Sequence, residues 1–175
     1  YVPDGGVSIR IEATDEWGNR SQKVVAVSRS IGEVASPTFA ALDPTGFSGR
    51  ANRHAVALII GIESYKRAGE ARFADRDAKF FRDYAKRKLG VPVANTKVLI
   101  DEDAEINDII EATKVWLPAV TKKKRSDVYV FFAGHGLGSE DGEEVYLLPY
   151  SAIPQLLGQT AFLRSELFAA LEAVS

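Results

Sequence analysis

Cysteine and methionine are both absent from the 175 residues of this chain. Without cysteine, the chain can form neither a disulfide nor a cysteine-ligated metal site, and its own residues cannot supply a thiol nucleophile. The lack of methionine, with Tyr1 as the first residue, predicts an internal piece of a longer protein.

Long hydrophobic runs and a strong net charge are also missing. The 22 basic and 24 acidic side chains give a formal net charge of -2, so no global field attracts nucleic acid or an anionic membrane surface. No apolar run approaches the roughly 18 residues of a membrane span. We therefore expect neither nucleic acid nor a membrane as a partner.

The first 30 residues predict a β-hairpin. Val7, Ile9 and Ile11 alternate with polar residues, and the turn 15–19 leads into the apolar run 24–27. An isolated hairpin is marginally stable, so it needs further strands or a surface to pack on. Segment 11–19 resembles the closing hairpin of bacterial immunoglobulin-like modules, which favours an extracytoplasmic (periplasmic or secreted) location.

Residues 31–53 carry Ser, Gly and Pro with scattered apolar positions, as an ordered linker would. After this boundary, strands alternate with helices over 54–175, which predicts an α/β domain with a parallel sheet. The apolar strands 54–61 and 127–133 are expected to be central. The remaining predicted elements are helix 71–89, strand 97–100, helix 105–120, strand 145–148 and helix 166–174, the last capped by Ser165.

The strand 127–133 carries one of only two histidines into a turn at its carboxyl end, where His135 lies between Gly134 and Gly136. In open α/β sheets, binding and active sites lie at the carboxyl ends of the strands, and flanking glycines let a substrate approach closely. His135 is therefore a candidate catalytic residue. The alternative is an incidental histidine in a strand-end turn.

Three segments in order carry a family resemblance: 57–65, then Ala-Asp-Arg-Asp-Ala at 74–78, then Phe-Phe-Ala-Gly-His-Gly at 131–136 with Val-Tyr-Leu-Leu-Pro at 145–149. Together they resemble the large-subunit portion of caspase-like cysteine peptidases, especially metacaspase-like and other bacterial members. The resemblance covers 54–175. It implies a caspase-like three-layer α/β sandwich with a mostly parallel central sheet, incomplete here, which the β-hairpin precedes.

In that family the histidine pairs with a cysteine roughly 50 residues downstream, which from His135 lies beyond Ser175. The resemblance implies that the thiolate attacks a peptide carbonyl, His135 protonates the leaving amine and the Gly136 N–H helps to bind the oxyanion. The expected partners are a peptide or protein substrate and the C-terminal remainder of the same protein, which carries the cysteine. This piece alone is expected to be inactive.

Asp77 matches the Asp of the family's Asn-Asp-Ala segment, which in metacaspase-like members lines a pocket for arginine or lysine before the scissile bond. The resemblance therefore implies cleavage after basic residues. The alternative is that Asp75 and Asp77 are charges in the first turn of a helix, where they interact with its dipole.

No cofactor is expected. Some metacaspases bind calcium after the Gly-His-Gly turn, where this chain has acidic residues at 140, 141, 143 and 144. However, Ser151 replaces the family's usual Asp, and clustered acids on a loop are commonly just solvated. Calcium remains the alternative.

The other charged segments indicate no specific functional site. The basic run 122–125 is a solvated loop, a phosphate contact or a processing site. Residues 101–108 lack EF-hand spacing and predict a turn followed by an acidic first helical turn. His54 is expected to be structural or exposed.

Two non-enzymatic functions remain open at this point. A catalytically dead caspase-like domain could act as a binding or scaffold module, and Ser151 fits that alternative. An adhesion protein would rely on the hairpin, but the ordered motifs over 57–149 argue against it.

Overall fold

The computed structural model describes residues 6–27, 44–46 and 48–175. The chain forms two compact units, Tyr1–Ala41 and Leu42–Ser175. Most of the linker predicted over 31–53 lies outside the described residues. Within the described residues, no helix is long and apolar enough to cross a membrane.

The first unit contains the predicted hairpin. Strand β1 (Val7–Thr14) pairs antiparallel with β2 (Arg20–Val27) along its whole length. The connecting turn is closed by Asp15, whose carboxylate accepts hydrogen bonds from the backbone N–H groups of Trp17 (3.0 Å) and Asn19 (2.8 Å). The side-chain hydrogen bond from Asn19 lowers the pKa of Asp15 most. Gly18 takes the left-handed conformation that the turn requires (φ 83°).

The second unit is an α/β domain. Its elements are β3 (Val56–Gly61), α1 (Ala74–Arg87), β4 (Thr96–Ile100), α2 (Ile106–Glu111), α3 (Leu117–Val120), β5 (Val128–Ala133), β6 (Gly136–Gly138), β7 (Val145–Leu147), α4 (Leu157–Thr160), β8 (Phe162–Leu163) and α5 (Arg164–Val174). Strand β3 lies between β4 and β5, and all three are parallel. A smaller antiparallel sheet has the order β6-β7-β8.

Helices cover both faces of the parallel sheet. On one face α1 places Ala78 and Ala85 against β3 in a cluster with Ile59. On the other face Leu58 and Ile60 join a cluster to which α2 and α5 contribute. Each buried Leu or Ile side chain contributes about 1.5–3 kcal/mol relative to an exposed one. This three-layer arrangement confirms the predicted fold class.

Close packing of α1 on β3 depends on Gly61. A Cβ added there would lie 2.4 Å from the Ala78 Cβ and 2.7 Å from the Ala74 carbonyl oxygen. The helix begins with Asp75 and Asp77 in its first turn and ends with basic residues in its last, as its dipole favours. Gly61 therefore fixes how near the start of α1 comes to the end of β3.

The structure differs from the sequence predictions in three places. Among the described residues strand β5 is not central but lies at the edge of the parallel sheet, where it pairs only with β3, and its residues are half-buried. The helix predicted over 105–120 is interrupted by a π-helical segment, Ala112–Trp116. Ser165 does not cap α5, because Leu163 is the N-cap residue and the Ser165 hydroxyl donates to the Glu144 carboxylate at 3.0 Å.

Candidate active site

The candidate site lies at the carboxyl edge of the parallel sheet, where the chain leaves β3, β4 and β5. The loop 62–73 follows β3, Asp101 follows β4, and the Gly-His-Gly turn follows β5. Parallel strands place these three exits at one edge. Residues far apart in sequence therefore meet there.

His135 is held by the loop that follows β3. Its backbone N–H donates to the Tyr65 hydroxyl at 2.7 Å, and the two rings lie 4.9 Å apart between centroids with a 34° tilt. Its Nε2 lies 2.9 Å from the Gly69 carbonyl oxygen. The residue is half-buried.

The contact with Gly69 determines the imidazole tautomer. A carbonyl oxygen can only accept a hydrogen bond, so Nε2 must carry the proton. In the neutral ring the lone pair is then on Nδ1. His135 can therefore act as a base through Nδ1 while the Gly69 carbonyl holds the ring.

Gly136 begins β6, an edge strand of the small sheet. Gly136 faces Leu147 across β6 and β7. The neighbouring residues make the hydrogen bond, since the Leu148 N–H donates to the His135 carbonyl at 3.0 Å. Gly136 and Leu147 are therefore a non-hydrogen-bonded pair. In such a pair the N–H points away from the partner strand. The Gly136 N–H is thus not used by β7.

Asp101 and Glu63 fix the loop that holds His135. The Asp101 carboxylate accepts hydrogen bonds from the N–H groups of Glu63 (2.8 Å) and Ser64 (3.0 Å), and Asp101 itself has a positive φ of 46°. The Glu63 carboxylate accepts from the Phe73 N–H at 2.9 Å, and its carbonyl accepts from the Ala71 N–H at 2.9 Å. These bonds close the loop at both ends.

The two aspartates at the start of α1 have different surroundings. Asp75 is half-buried and bonded to Lys79 at 2.8 Å. That bond is the main cause of its lowered pKa, and a hydrogen bond with Glu63 lowers it further. The same hydrogen bond is the main cause of the raised pKa of Glu63. Asp77 is exposed, and its carboxylate makes no hydrogen bond or ion pair with any residue that the structure describes.

The model of the Caspase domain family matches residues 54–171, about two thirds of the chain. The chain belongs to the caspase-domain family. That family consists of cysteine peptidases, and this caspase domain contains no cysteine. No curated protein matches the chain significantly.

The acidic loop of this caspase domain is organised by hydrogen bonds. The Ser139 hydroxyl donates to Asp141, which is the main cause of the lowered pKa of that carboxylate, and the Glu143 N–H also donates to it. The Ser151 hydroxyl donates to the Glu105 carboxylate. Across 6–27, 44–46 and 48–175, no group of three or more acidic or histidine side chains is placed to hold a metal ion.

The basic run 122–125 and His54 lie at the opposite, amino-terminal edge of the parallel sheet, before β5 and β3. The run forms a turn in which the Lys122 carbonyl accepts from the N–H groups of Arg125 (2.9 Å) and Ser126 (3.1 Å). Partial burial, followed by the nearby charges of Lys122, Arg53 and Arg125, lowers the pKa of His54. Segment 101–108 is the predicted turn and helix start, since it forms a 3-10 turn at Asp101–Asp103 before α2.

Sequence reasoning missed the roles of Tyr65, Gly69 and Asp101. In the sequence Tyr65 is only the last residue of the motif 57–65, and Asp101 only the first residue of the acidic turn 101–108. A weak signal existed for Asp101, because aspartate tolerates positive φ and accepts backbone hydrogen bonds at strand ends. No local signal marks Gly69, whose carbonyl matters only through its position.

Proposed function

We propose that this caspase domain is the histidine-bearing part of a cysteine endopeptidase that cleaves after basic residues. The observation that carries the proposal is the arrangement of His135, whose Nε2 is held by the Gly69 carbonyl at 2.9 Å while Nδ1 keeps its lone pair. A histidine held in one tautomer at the carboxyl edge of a parallel sheet suits a general base.

The nucleophile would be a cysteine on a further strand of the same protein. That strand would add to the outer edge of β5, which is unpaired in the part of the chain that the structure describes. Beside this edge lies an apolar groove of about 380 Å³. The residues lining the groove are Val128, Val130, Phe132, Leu147, Arg164, Leu167, Phe168 and Leu171.

Strand addition at this edge would account for the apolar groove and would bring a cysteine to the site. The groove presents the alternate residues Val128, Val130 and Phe132 of β5, and an apolar neighbour strand about 4.8 Å away would cover them. A parallel strand would also end at the same edge as His135. A cysteine at its carboxyl end would thus arrive near the imidazole.

The reaction follows from these positions. Nδ1 of His135 accepts the thiol proton, and the sulfur forms a bond to the carbonyl carbon of the scissile peptide. The Gly136 N–H, which β7 does not use, stabilises the oxyanion. The C–N bond breaks as the imidazolium protonates the leaving amine, and water then hydrolyses the thioester.

A thiol suits this site better than a hydroxyl. A cysteine beside an imidazolium ionises near neutral pH, so no third charged residue is needed. The backbone carbonyl of Gly69 orients the ring without adding charge. The chain alone, which has no cysteine, is expected to be inactive.

Asp77 would recognise the basic side chain before the scissile bond. It is exposed in the first turn of α1, and that helix starts directly after the loop that holds His135. Its carboxylate is not engaged by the described residues, whereas Asp75 is occupied by Lys79 and Glu63. A free carboxylate in such a position attracts arginine or lysine and disfavours aspartate.

The test is hydrolysis of paired peptides with Arg or Asp before the scissile bond, using the complete protein. The Arg peptide should be cleaved faster, and His135→Ala should lower kcat about a thousandfold or more. Asp77→Asn should lower kcat/KM for the Arg peptide about tenfold or more, while Asp83→Asn, the same change later in α1, should not. Faster cleavage after Asp would refute the specificity, and turnover by the chain alone would refute the mechanism. A complete protein that binds partners but cleaves neither peptide would instead be a scaffold.

A further inference from the structure

Tyr65 makes two contacts with the candidate catalytic histidine although 70 residues separate them. Its hydroxyl accepts the His135 backbone N–H at 2.7 Å. Its ring also lies beside the imidazole, at 4.9 Å between centroids. One side chain therefore supports both the main chain and the ring of His135.

The residue before the histidine leaves room for this tyrosine. A Cβ added at Gly134 would lie 2.5 Å from the Tyr65 hydroxyl oxygen and 3.3 Å from the Phe132 ring. Real Cβ atoms do not approach an oxygen so closely. Gly134 is therefore explained by the Tyr65 hydroxyl and not only by the turn.

Tyr65 itself is held firmly. It packs against the cluster that includes Leu58, Ile60 and Ile62. The Asp101 carboxylate accepts hydrogen bonds from the N–H groups of Glu63 and Ser64, the two residues before Tyr65. The tyrosine is thus anchored by the core and by the end of β4.

The hydroxyl remains neutral at physiological pH. Burial raises the pKa of Tyr65 to about 12. A phenol with that pKa gives up no proton near neutral pH, so it is a poor acid or base for peptide hydrolysis. Its role must come from geometry.

We infer that Tyr65 is a positioning residue that fixes the His135 imidazole with Nε2 on the Gly69 carbonyl, which leaves Nδ1 for the nucleophile. The catalytic consequence rests on the proposed peptidase function. The geometric consequence does not, because it can be measured in this chain without a nucleophile.

The structure offers a direct spectroscopic readout. The chain has only two histidines, and they are held in opposite tautomers. His135 carries its proton on Nε2, whereas Nε2 of His54 accepts a hydrogen bond from Arg53 at 3.3 Å, which places its proton on Nδ1. His54 lies at the other edge of the sheet and serves as the internal control.

The first experiment records imidazole ¹⁵N spectra and amide exchange for the unsubstituted chain, Tyr65→Phe and Tyr129→Phe. Tyr129 is a half-buried tyrosine that packs on the other face of the sheet. Tyr65→Phe should speed exchange of the His135 amide about fivefold to tenfold, as loss of one hydrogen bond predicts. It should also mix the His135 tautomers, while the His54 signals stay unchanged. Unchanged His135 signals, or equal effects of Tyr129→Phe, would overturn the inference.

A double substitution tests the account of Gly134. Gly134→Ala should lower the melting temperature less in a Tyr65→Phe background than in the unsubstituted chain, because the clash with the hydroxyl is gone. Equal losses in the two backgrounds would show that the hydroxyl does not require the glycine. That result would also count against the close Tyr65–His135 contact.

The last experiment uses the complete protein. Tyr65→Phe should lower kcat about tenfold with KM within twofold of its original value, and Tyr129→Phe should change neither. A loss confined to KM would overturn the positioning role. If the unsubstituted protein shows no peptidase activity, the proposed function fails, but the ¹⁵N and exchange data still decide the role of Tyr65.

Discussion

Replacing Asp101 tests whether the end of β4 holds the loop that positions His135. Its carboxylate accepts two backbone hydrogen bonds, at 2.8 Å from Glu63 and 3.0 Å from Ser64. Asp101→Ala removes Oδ1, the one oxygen that accepts both bonds, and places alanine at a φ of 46°. Asp101→Asn keeps an acceptor oxygen and a residue that tolerates positive φ, so it removes only the charge.

The expected losses differ in size. A hydrogen bond to a charged group contributes about 1.5–3 kcal/mol, but the N–H of the exposed Ser64 can bond to water when the acceptor is lost. The left-handed conformation adds about 1 kcal/mol of strain for alanine. We therefore expect Asp101→Ala to lower the free energy of unfolding by about 3 kcal/mol and Asp101→Asn to lower it by about 1 kcal/mol. For a unit of this size these losses lower the melting temperature by about 10 °C and 3 °C.

Urea unfolding followed by tryptophan fluorescence measures these values. The chain has two tryptophans, and a Trp17→Phe background leaves Trp116, which is half-buried in the second unit, as the reporter. Asp103→Ala is the matched control, since it removes an exposed aspartate from the same 3-10 turn. If Asp101→Ala cost no more than Asp103→Ala, Asp101 would not stabilise the loop and the reasoning would be refuted.

Three further predictions concern the same region. Gly61→Ala should lower the free energy of unfolding by about 2 kcal/mol or more, because the added Cβ would lie 2.4 Å from the Ala78 Cβ. Gly158→Ala is the control, since a Cβ at Gly158 would enter open space and should lower the free energy of unfolding far less. Calorimetry of the two variants compares these losses. Phe73→Gly should leave the free energy of unfolding unchanged or raise it by about 1 kcal/mol, since Phe73 has φ 75° and is exposed. If urea unfolding instead showed a loss of more than about 1 kcal/mol, the contact of the Phe73 ring with the Arg76 guanidinium, 4.3 Å away, would contribute more than the backbone strain costs. The raised pKa of Glu63 means that the folded state holds its proton more tightly than the unfolded state, so stability should fall as pH rises above 4.5 through the folded pKa. Glu63→Gln should remove that decline in melts between pH 4 and 7, whereas Asp75, with its lowered pKa, loses stability only as pH falls below 3.8.

Local sequence patterns predict the main strands and helices of the second unit. The apolar runs that became β3 and β5 are recognisable because parallel strands lie between two helical layers. The amino-terminal end of helix α1 is recognisable from the acidic residues in its first turn. His135 was predicted as a candidate because its position at a strand end depends on local sequence alone.

The rest depends on contacts between distant residues. The Tyr65 hydroxyl and the Gly69 carbonyl reach His135 across 70 and 66 residues, and no periodicity encodes such pairs. Ser165 has the side chain of a helix cap, yet it donates to Glu144, 21 residues away. The central position predicted for β5 was inferred from its apolar sequence, which describes its faces and not its edges.

Labelling of the complete protein with an arginine-based, thiol-reactive peptide inhibitor tests the central claim most directly. Peptide mass spectrometry of the unsubstituted protein and of His135→Ala would identify the modified residue. The account predicts one labelled cysteine, at the end of an apolar strand that follows Ser175, with labelling near neutral pH lost in His135→Ala. The absence of a cysteine from that segment, or labelling that does not depend on His135, would contradict it.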